Sequence, residues 1–258
     1  MLKALADQGI RPDVIVGTSI GAVNGAVAAR NPHTSAPLEQ AWLDLDFADV
    51  FPGSLWSRAR SALTQRTYLH ANDRLREWLE GLLGIDDFND LSVPFQCVAA
   101  CIEDAAEQWF TSGSLIEAIL ASSAVPGLLP PVEIEGKHFV DGGVVNSIPV
   151  SRAYELEATT IYVMHVGHID DPLEVPKVPW DVGVVAFEIA RRHRFASDLA
   201  SVPDGTTVHV LPTGATQGRY NDPSKLKYAK LSSASEQIDA SHSATMEYLS
   251  GPDHTAVR

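Results

Sequence analysis

The amino-acid sequence predicts an α/β fold, a mostly parallel sheet covered by helices on both faces. Three observations carry this. Val14–Val16 is a short, wholly apolar run of the kind buried in a parallel sheet, and glycines and a second apolar stretch follow at once, the pattern of strand, tight turn and helix. Strand-like runs then alternate with helical spacing along most of the chain. With 258 residues, 45% hydrophobic and 20% charged, the composition is that of an ordinary globular protein with a large core, which excludes disorder and collagen-like structure.

In chain order, Leu2 and Leu5 mark the end of a helix that Gly9 stops, with Pro12 beyond it. The turn after Val16 opens a helix from about Ile20 to Arg30. From Asn31 to about Leu91 the character changes, with Pro32, Pro37, Pro52, Trp42, Trp56 and Trp78, and with helical spacing at Leu75, Trp78, Leu79 and Leu82. This predicts a helical insertion over the sheet edge, made of packing helices or of a lid that contacts an apolar substrate. Phe95–Ile102 and Gln108–Thr111 read as strands. Ser114 is placed to cap a helix from Leu115 to about Ser123, which Pro126 ends. Val132–Val140 reads as a hairpin turning at Glu135-Gly136. Thr160–Val166 reads as a strand, Asp181–Leu199 as a helix, Thr207–Leu211 as a strand and Ser233–Leu249 as a last helix. One α/β domain over residues 1–250 is expected, with a loose tail over 251–258.

Nineteen basic and 33 acidic residues leave a net charge of −14. Long-range repulsion then disfavours nucleic acid, whose binding rests on Lys and Arg contacts to phosphate, and disfavours strong adsorption to an anionic membrane. The longest uncharged run, Val14–Ala29, is shorter than the roughly 20 apolar residues of a spanning helix and contains three glycines. No secretory signal is expected, because Asp7 interrupts the N-terminus before an apolar region of adequate length. In a strand, Cys97 and Cys101 would stand roughly 13 Å apart, beyond disulfide reach, so they are expected as buried thiols of a cytoplasmic protein. The adjacent acids Asp86-Asp87 and Asp170-Asp171 are expected as solvated loop charges. There is no metal-ligand spacing, and Gly17, Gly21 and Gly25 do not fit a dinucleotide fingerprint, so no cofactor is predicted.

Chemistry concentrates at Gly17-Thr18-Ser19-Ile20-Gly21, a G-x-S-x-G run between a buried strand and a helix. Such a turn exposes the serine hydroxyl at the helix N-terminus, where the Ile20 N–H and the helix dipole can stabilise a developing oxyanion. Gly17 and Gly21 would remove side chains that clash at the turn, and Gly21 and Gly25 share a helix face that can pack closely on the sheet. The alternative is a glycine turn that merely packs or holds an anion, although the lysine of a phosphate-binding loop is absent. None of the nine histidines has a setting that marks it as a base. Asp141 is the better candidate, in Phe139-Val-Asp-Gly-Gly-Val-Val-Asn146, where Gly142 and Gly143 allow close backbone approach. A plain Asp-Gly hairpin turn is the competing possibility there.

Taken together, Val14-Ile-Val-Gly-Thr-Ser-Ile-Gly-Ala, Ala121-Ser-Ser-Ala-Val-Pro-Gly127 and Val140-Asp-Gly-Gly-Val-Val-Asn-Ser-Ile-Pro149 resemble the patatin-like phospholipase family, in the right order from Leu2 to about Pro212. The resemblance implies a three-layer α/β/α sandwich, Ser19 as nucleophile and Asp141 as its partner in a Ser-Asp dyad. It also implies acyl esters of lipids as substrates of a phospholipase A, lysophospholipase or esterase reaction, with transient contact at a membrane surface. The family carries a strand and a Gly-Gly-Gly-x-x-Gly oxyanion loop well before its nucleophile. Only 18 residues precede Ser19, and Met1–Asp7 matches the middle of the helix that follows the loop, so both are expected to be missing from this chain. Two alternatives stand beside this expectation. One is an α/β-hydrolase esterase with a triad of Ser19, Asp141 and His165 or His209. The other is a non-catalytic module that binds acyl lipids in the same pocket.

Overall fold

The computed structural model describes residues 1–45, 72–165, 169, 172–176, 179–214 and 232–251. They fall into two compact units, Pro12–Ser147 and Met1–Arg11 with Ile148–Arg258. The expectations for Pro52 and Trp56 in the insertion, for Val166, for Asp170-Asp171 and for a tail over 252–258 lie outside the described residues.

The unit Pro12–Ser147 is built on a five-stranded sheet. Its strands are β1 (Ile15–Thr18), β2 (Phe95–Cys101), β3 (Ala106–Phe110), β4 (Val132–Ile134) and β5 (Lys137–Asp141). The α/β class is as the alternation predicts, but the sheet is mixed rather than mostly parallel. β1 runs parallel to β2, whereas β2–β3, β2–β5 and β4–β5 are antiparallel. The reason is connection length. Ile102–Ala105 joins β2 to β3, and Glu135-Gly136 joins β4 to β5, both too short for the crossover that parallel neighbours need. The predicted hairpin turns where expected, with Glu135 and Gly136 both at positive φ, 52° and 79°, which matches the twist of the flanking strands.

The register of β2 decides where the chemistry can form. β3 occupies one edge of β2 over Cys97–Cys101, so β1 and β5, which overlap the same stretch, must share the other edge. β1 runs along that edge as far as Thr18, opposite Val98. β5 comes from the far end and stops with Asp141 opposite Ala99. Two strand ends distant in sequence therefore meet head to head at one point on a third strand.

Helices cover this sheet: α1 (Leu2–Asp7) belongs to the other unit, and here lie α2 (Ile20–Arg30), α3 (Ala36–Asp44), α4 (Asp73–Leu83) and α5 (Leu115–Ser122). α2 packs on β1 and β2, α5 on β2, β4 and β5, and α4 against both helices. Val23, Val27, Leu75, Leu79, Ile116 and Ile119 meet Cys97, Ala99 and Phe139 in one core. Val98 and Ala100 point to the opposite face of β2 and are buried too. Gly25 is needed for this packing, since a Cβ there would lie 2.8 Å from the Phe95 ring. The spacing read at Leu75 and Leu79 is the buried stripe of α4, and the Trp42 indole on α3 donates to Asn24 of α2 at 2.9 Å.

Ser114 caps α5 as expected, its Oγ accepting from the Glu117 N–H at 3.1 Å. Asp86 and Asp87 are exposed loop acids, as expected, and each also accepts hydrogen bonds from a helical turn. Asp86 accepts from the Ser114 hydroxyl and the Ile116 N–H, both at 2.8 Å, and Asp87 accepts from the Asn89 N–H at 2.8 Å. Carboxylates are drawn to such ends because the first N–H groups of a helical turn have no partner within it. Cys97 and Cys101 are buried free thiols on β2, and burial pushes the Cys97 thiol far above its ordinary range.

The second unit contains α1, α6 (Val150–Glu155), β6 (Thr160–Val163), α7 (Pro179–Ala200), β7 (Thr207–Val210) and α8 (Ser232–Ser250). β6 and β7 pair in parallel. Ile148, Ile161, Val163, Phe195 and Val208 form its core, and His242 of α8 meets Asp7 of α1 at 2.8 Å. No helix among the described residues is long and apolar enough to cross a membrane.

Candidate active site

β1 ends at Thr18, and α2 begins at Ile20, so Ser19 alone makes the turn between them. It does so at φ 55°, ψ −123°, a backbone conformation that side chains disfavour and that persists only where its surroundings hold it. The Ser19 carbonyl accepts from the Ala22 N–H at 2.8 Å, which starts the helix. Gly17 is indispensable to the bend, because a Cβ there would lie 2.4 Å from the Gly21 carbonyl oxygen and 2.9 Å from the Ala22 Cα. The expectation for Gly21 is corrected. A Cβ at Gly21 would meet nothing within 4 Å, so its carbonyl, not its missing side chain, is what Gly17 must avoid.

Asp141 closes β5 and is followed by a single 3-10 turn, Gly142–Val144, rather than by a hairpin. Its side chain is buried, and its two oxygens have separate duties. Oδ1 accepts from the Gly143 N–H at 2.7 Å, and Oδ2 accepts from the Ser19 hydroxyl at 2.5 Å, the short length of a charge-assisted bond. The Gly143 amide is thus used in orienting the acid, not in facing a substrate. Gly142 has no alternative, because a Cβ there would lie 2.1 Å from the Val98 carbonyl oxygen where the chain crosses β2.

Three further hydrogen bonds tie the two strand ends together. The Thr18 hydroxyl donates to the Asn146 carbonyl at 2.8 Å. The Ser19 N–H donates to the Ser122 Oγ at 2.9 Å, and the Asp141 N–H donates to the Ala124 carbonyl at 2.9 Å. Ser122 had no assigned role in the sequence. The only signal was its place in the Ala121–Gly127 run, and nothing local distinguishes a buried serine at a helix end from a packing residue.

Burial raises the Asp141 pKa above the ordinary carboxylate value, and the hydrogen bonds from Ser19 and Gly143 offset only part of that rise. A carboxylate held out of water is a better proton acceptor than one in solution. Ile20 occupies the first position of α2, directly after Ser19, where an N–H has no carbonyl of its own helix to bind. The arrangement can therefore take a proton from a serine and stabilise negative charge next to it.

Among the histidines of the triad alternative, His209 lies on β7 in the other unit, stacked on Tyr162 with its Nδ1 3.0 Å from the Tyr248 hydroxyl. His165 follows β6 in that same unit. Within Pro12–Ser147, His138 is engaged by Glu103 at 2.7 Å. Among the described residues, no group of three or more His, Cys, Asp or Glu could hold a metal ion.

The chain is similar over 171 residues to lysophospholipase nte1 of Aspergillus terreus, at 30% identity, with 66% of this chain and 11% of the relative covered. Against lysophospholipase NTE1 of Coccidioides immitis it is 33% identical over 175 residues, covering 66% and 11%. Against the protein of the same name from Pyricularia oryzae it is 31% identical over 193 residues, covering 72% and 12%. The chain thus spans about a tenth of the length of these relatives. The Patatin-like phospholipase model matches residues 1–154, a stretch that takes in both strand ends, the glycines that let them meet and the acid beside the serine, and on that match this chain belongs to the patatin-like phospholipase family.

Proposed function

We propose that this chain is a serine hydrolase of lipid acyl esters, with Ser19 as nucleophile and Asp141 as its base. The observation that carries the proposal is the 2.5 Å hydrogen bond from a serine on a strained strand-to-helix turn to a buried carboxylate whose proton affinity is raised. The Ser19 Oγ attacks the ester carbonyl carbon while Asp141 Oδ2 takes its proton, and the carbonyl electron pair moves onto oxygen. The N–H groups of Ile20 and Gly21, at the start of α2, face that oxyanion. Collapse expels the alcohol, which leaves with the proton from Asp141 and leaves an acyl-serine. Water then attacks the acyl carbon, Asp141 accepts its proton and returns it to the Ser19 oxygen, and the fatty acid departs.

Two observations favour a lipid over a polar ester. The relatives carry the name lysophospholipase. In addition, apolar side chains stand exposed beside the dyad: Ile20 next to Ser19 at 37%, Val144 three residues after Asp141 at 46%, and Val125 beside the carbonyl that holds the Asp141 backbone at 39%. Exposed apolar groups at a reacting centre suit an acyl chain and a transient peripheral contact with a lipid surface.

A fluorophosphonate probe and hydrolysis of lysophosphatidylcholine test the proposal together. The chain is expected to be labelled and to release fatty acid, and Ser19→Ala to do neither. A chain that binds the lipid but resists the probe is instead a non-catalytic acyl-binding module. Loss of hydrolysis in His165→Ala or His209→Ala at intact folding would favour the triad.

A further inference from the structure

We infer that Ser122 is a positioning residue, whose hydroxyl oxygen holds the Ser19 backbone in the turn that keeps the nucleophile aligned with Asp141. The inference rests on the catalytic roles proposed for Ser19 and Asp141. Ser19 adopts a positive φ that a non-glycine residue leaves unless something retains it. Its N–H precedes the first bonded turn of α2, and the ladder of β1 with β2 stops one residue earlier, at Thr18. Neither regular element offers this N–H an acceptor. Ser122 does, at 2.9 Å, from a side chain that is 0% exposed. A buried N–H deprived of its acceptor is costly, so the bond restrains the turn rather than merely decorating it.

The position of Ser122 is itself fixed. It is the last residue of α5, a helix capped by Ser114 and anchored through Asp86 at its other end. Two residues further on, the Ala124 carbonyl takes the Asp141 N–H at 2.9 Å. One short segment, Ser122–Ala124, therefore holds the backbone of both partners and sets the gap across which the Ser19 hydroxyl reaches the Asp141 carboxylate. The residue between supplies a control within the same segment. Ser123 also buries its Oγ, but that oxygen makes no hydrogen bond.

The test compares Ser122→Ala, Ser122→Thr and Ser123→Ala with the unaltered chain. It uses p-nitrophenyl butyrate turnover, the rate of fluorophosphonate labelling, and Ser19 amide exchange followed by NMR. Ser122→Ala is expected to lose about 10- to 100-fold in kcat and in labelling rate, with KM within about twofold, because the substrate contacts remain while the attacking oxygen is misplaced. Its Ser19 amide should exchange at least about tenfold faster. Ser122→Thr keeps the oxygen and should recover most of the loss, and Ser123→Ala should match the unaltered chain. The inference is overturned by wild-type turnover in Ser122→Ala, by equal losses in Ser122→Ala and Ser123→Ala, or by an unchanged Ser19 exchange rate. Should Ser122→Ala not fold, Ser122→Cys replaces it, and its weaker acceptor should give an intermediate loss and intermediate exchange. An unaltered chain that resists the probe defeats the catalytic roles, and the Ser19 exchange rate then decides the Ser122 contact by itself.

Discussion

Asp141→Asn separates the chemistry of the site from its stability. The substitution keeps the size of the side chain and an acceptor for the Gly143 N–H, now 2.7 Å from Oδ1, but removes the charge that receives the Ser19 proton. A positioned general base contributes about 10²–10⁴ in rate, so turnover should fall by that factor, equivalent to about 3–5 kcal/mol of transition-state stabilisation. Stability should move the other way. The folded-state pKa of Asp141 lies above its ordinary value of 3.8, chiefly through burial. Above the folded pKa, ionising this group costs the native state about 1.4 kcal/mol for each unit of the rise. As pH falls through the folded pKa, the native chain takes up the proton before the unfolded chain does. The cost therefore fades and is gone below about the unfolded value. The asparagine variant never carries the charge, so it should be the more stable protein at neutral pH, with the gap closing on acidification. Wild-type turnover should decline over the same range as Asp141 becomes protonated and can no longer act as base. Paired urea melts and kcat measurements across the acid-to-neutral range check both halves. Turnover of Asp141→Asn within tenfold of wild type would refute the base assignment, and a stability gap that widens on acidification would refute the burial argument.

The glycines give sharper structural tests. Gly17→Ala should cost about 1–3 kcal/mol or more and abolish probe labelling, because its Cβ would press on backbone atoms 2.4 and 2.9 Å away that cannot turn aside. Gly21→Ala, in the same motif, should stay folded and gain up to about 1 kcal/mol in a urea melt, since its Cβ meets nothing within 4 Å and alanine is the better helix former. Gly142→Ala would put a Cβ 2.1 Å from the Val98 carbonyl, so the chain after Asp141 must move. More than about a tenfold loss of labelling rate is expected, with a stability loss of about 1–3 kcal/mol in the same melt.

Much of the local structure was legible because it depends on near neighbours. The helix Ile20–Arg30 begins and ends where the glycine turn and the apolar run place it, Ser114 caps α5, and the Glu135-Gly136 turn closes its hairpin. The strand directions were not legible in the same way. Alternation of strands and helices suggested parallel pairing, yet the short connections after β2 and β4 bring antiparallel neighbours onto the same sheet. The adjacent acids Asp86 and Asp87 read as solvated loop charge and are exposed on a loop, but the hydrogen bonds they accept from helical turns were not legible, because those turns lie elsewhere in the chain or are too short to show as helices.

By itself, the sequence placed a serine on a strand-to-helix turn and an acid before two glycines, leaving that acid open between a strand end and a hairpin turn, since both are statements about chain segments a few residues long. Only the tertiary structure decided that these residues, 122 positions apart, form one hydrogen bond. The physical reason lies in the pairing of β2, which receives β1 up to Val98 and β5 down to Ala99 on a single edge. Edge and register are chosen by competition among all the strands and by the core packed over them. The roles of Ser122, which matters through a bond across the fold, and of Gly142, which matters through a carbonyl on another strand, emerge from that same competition.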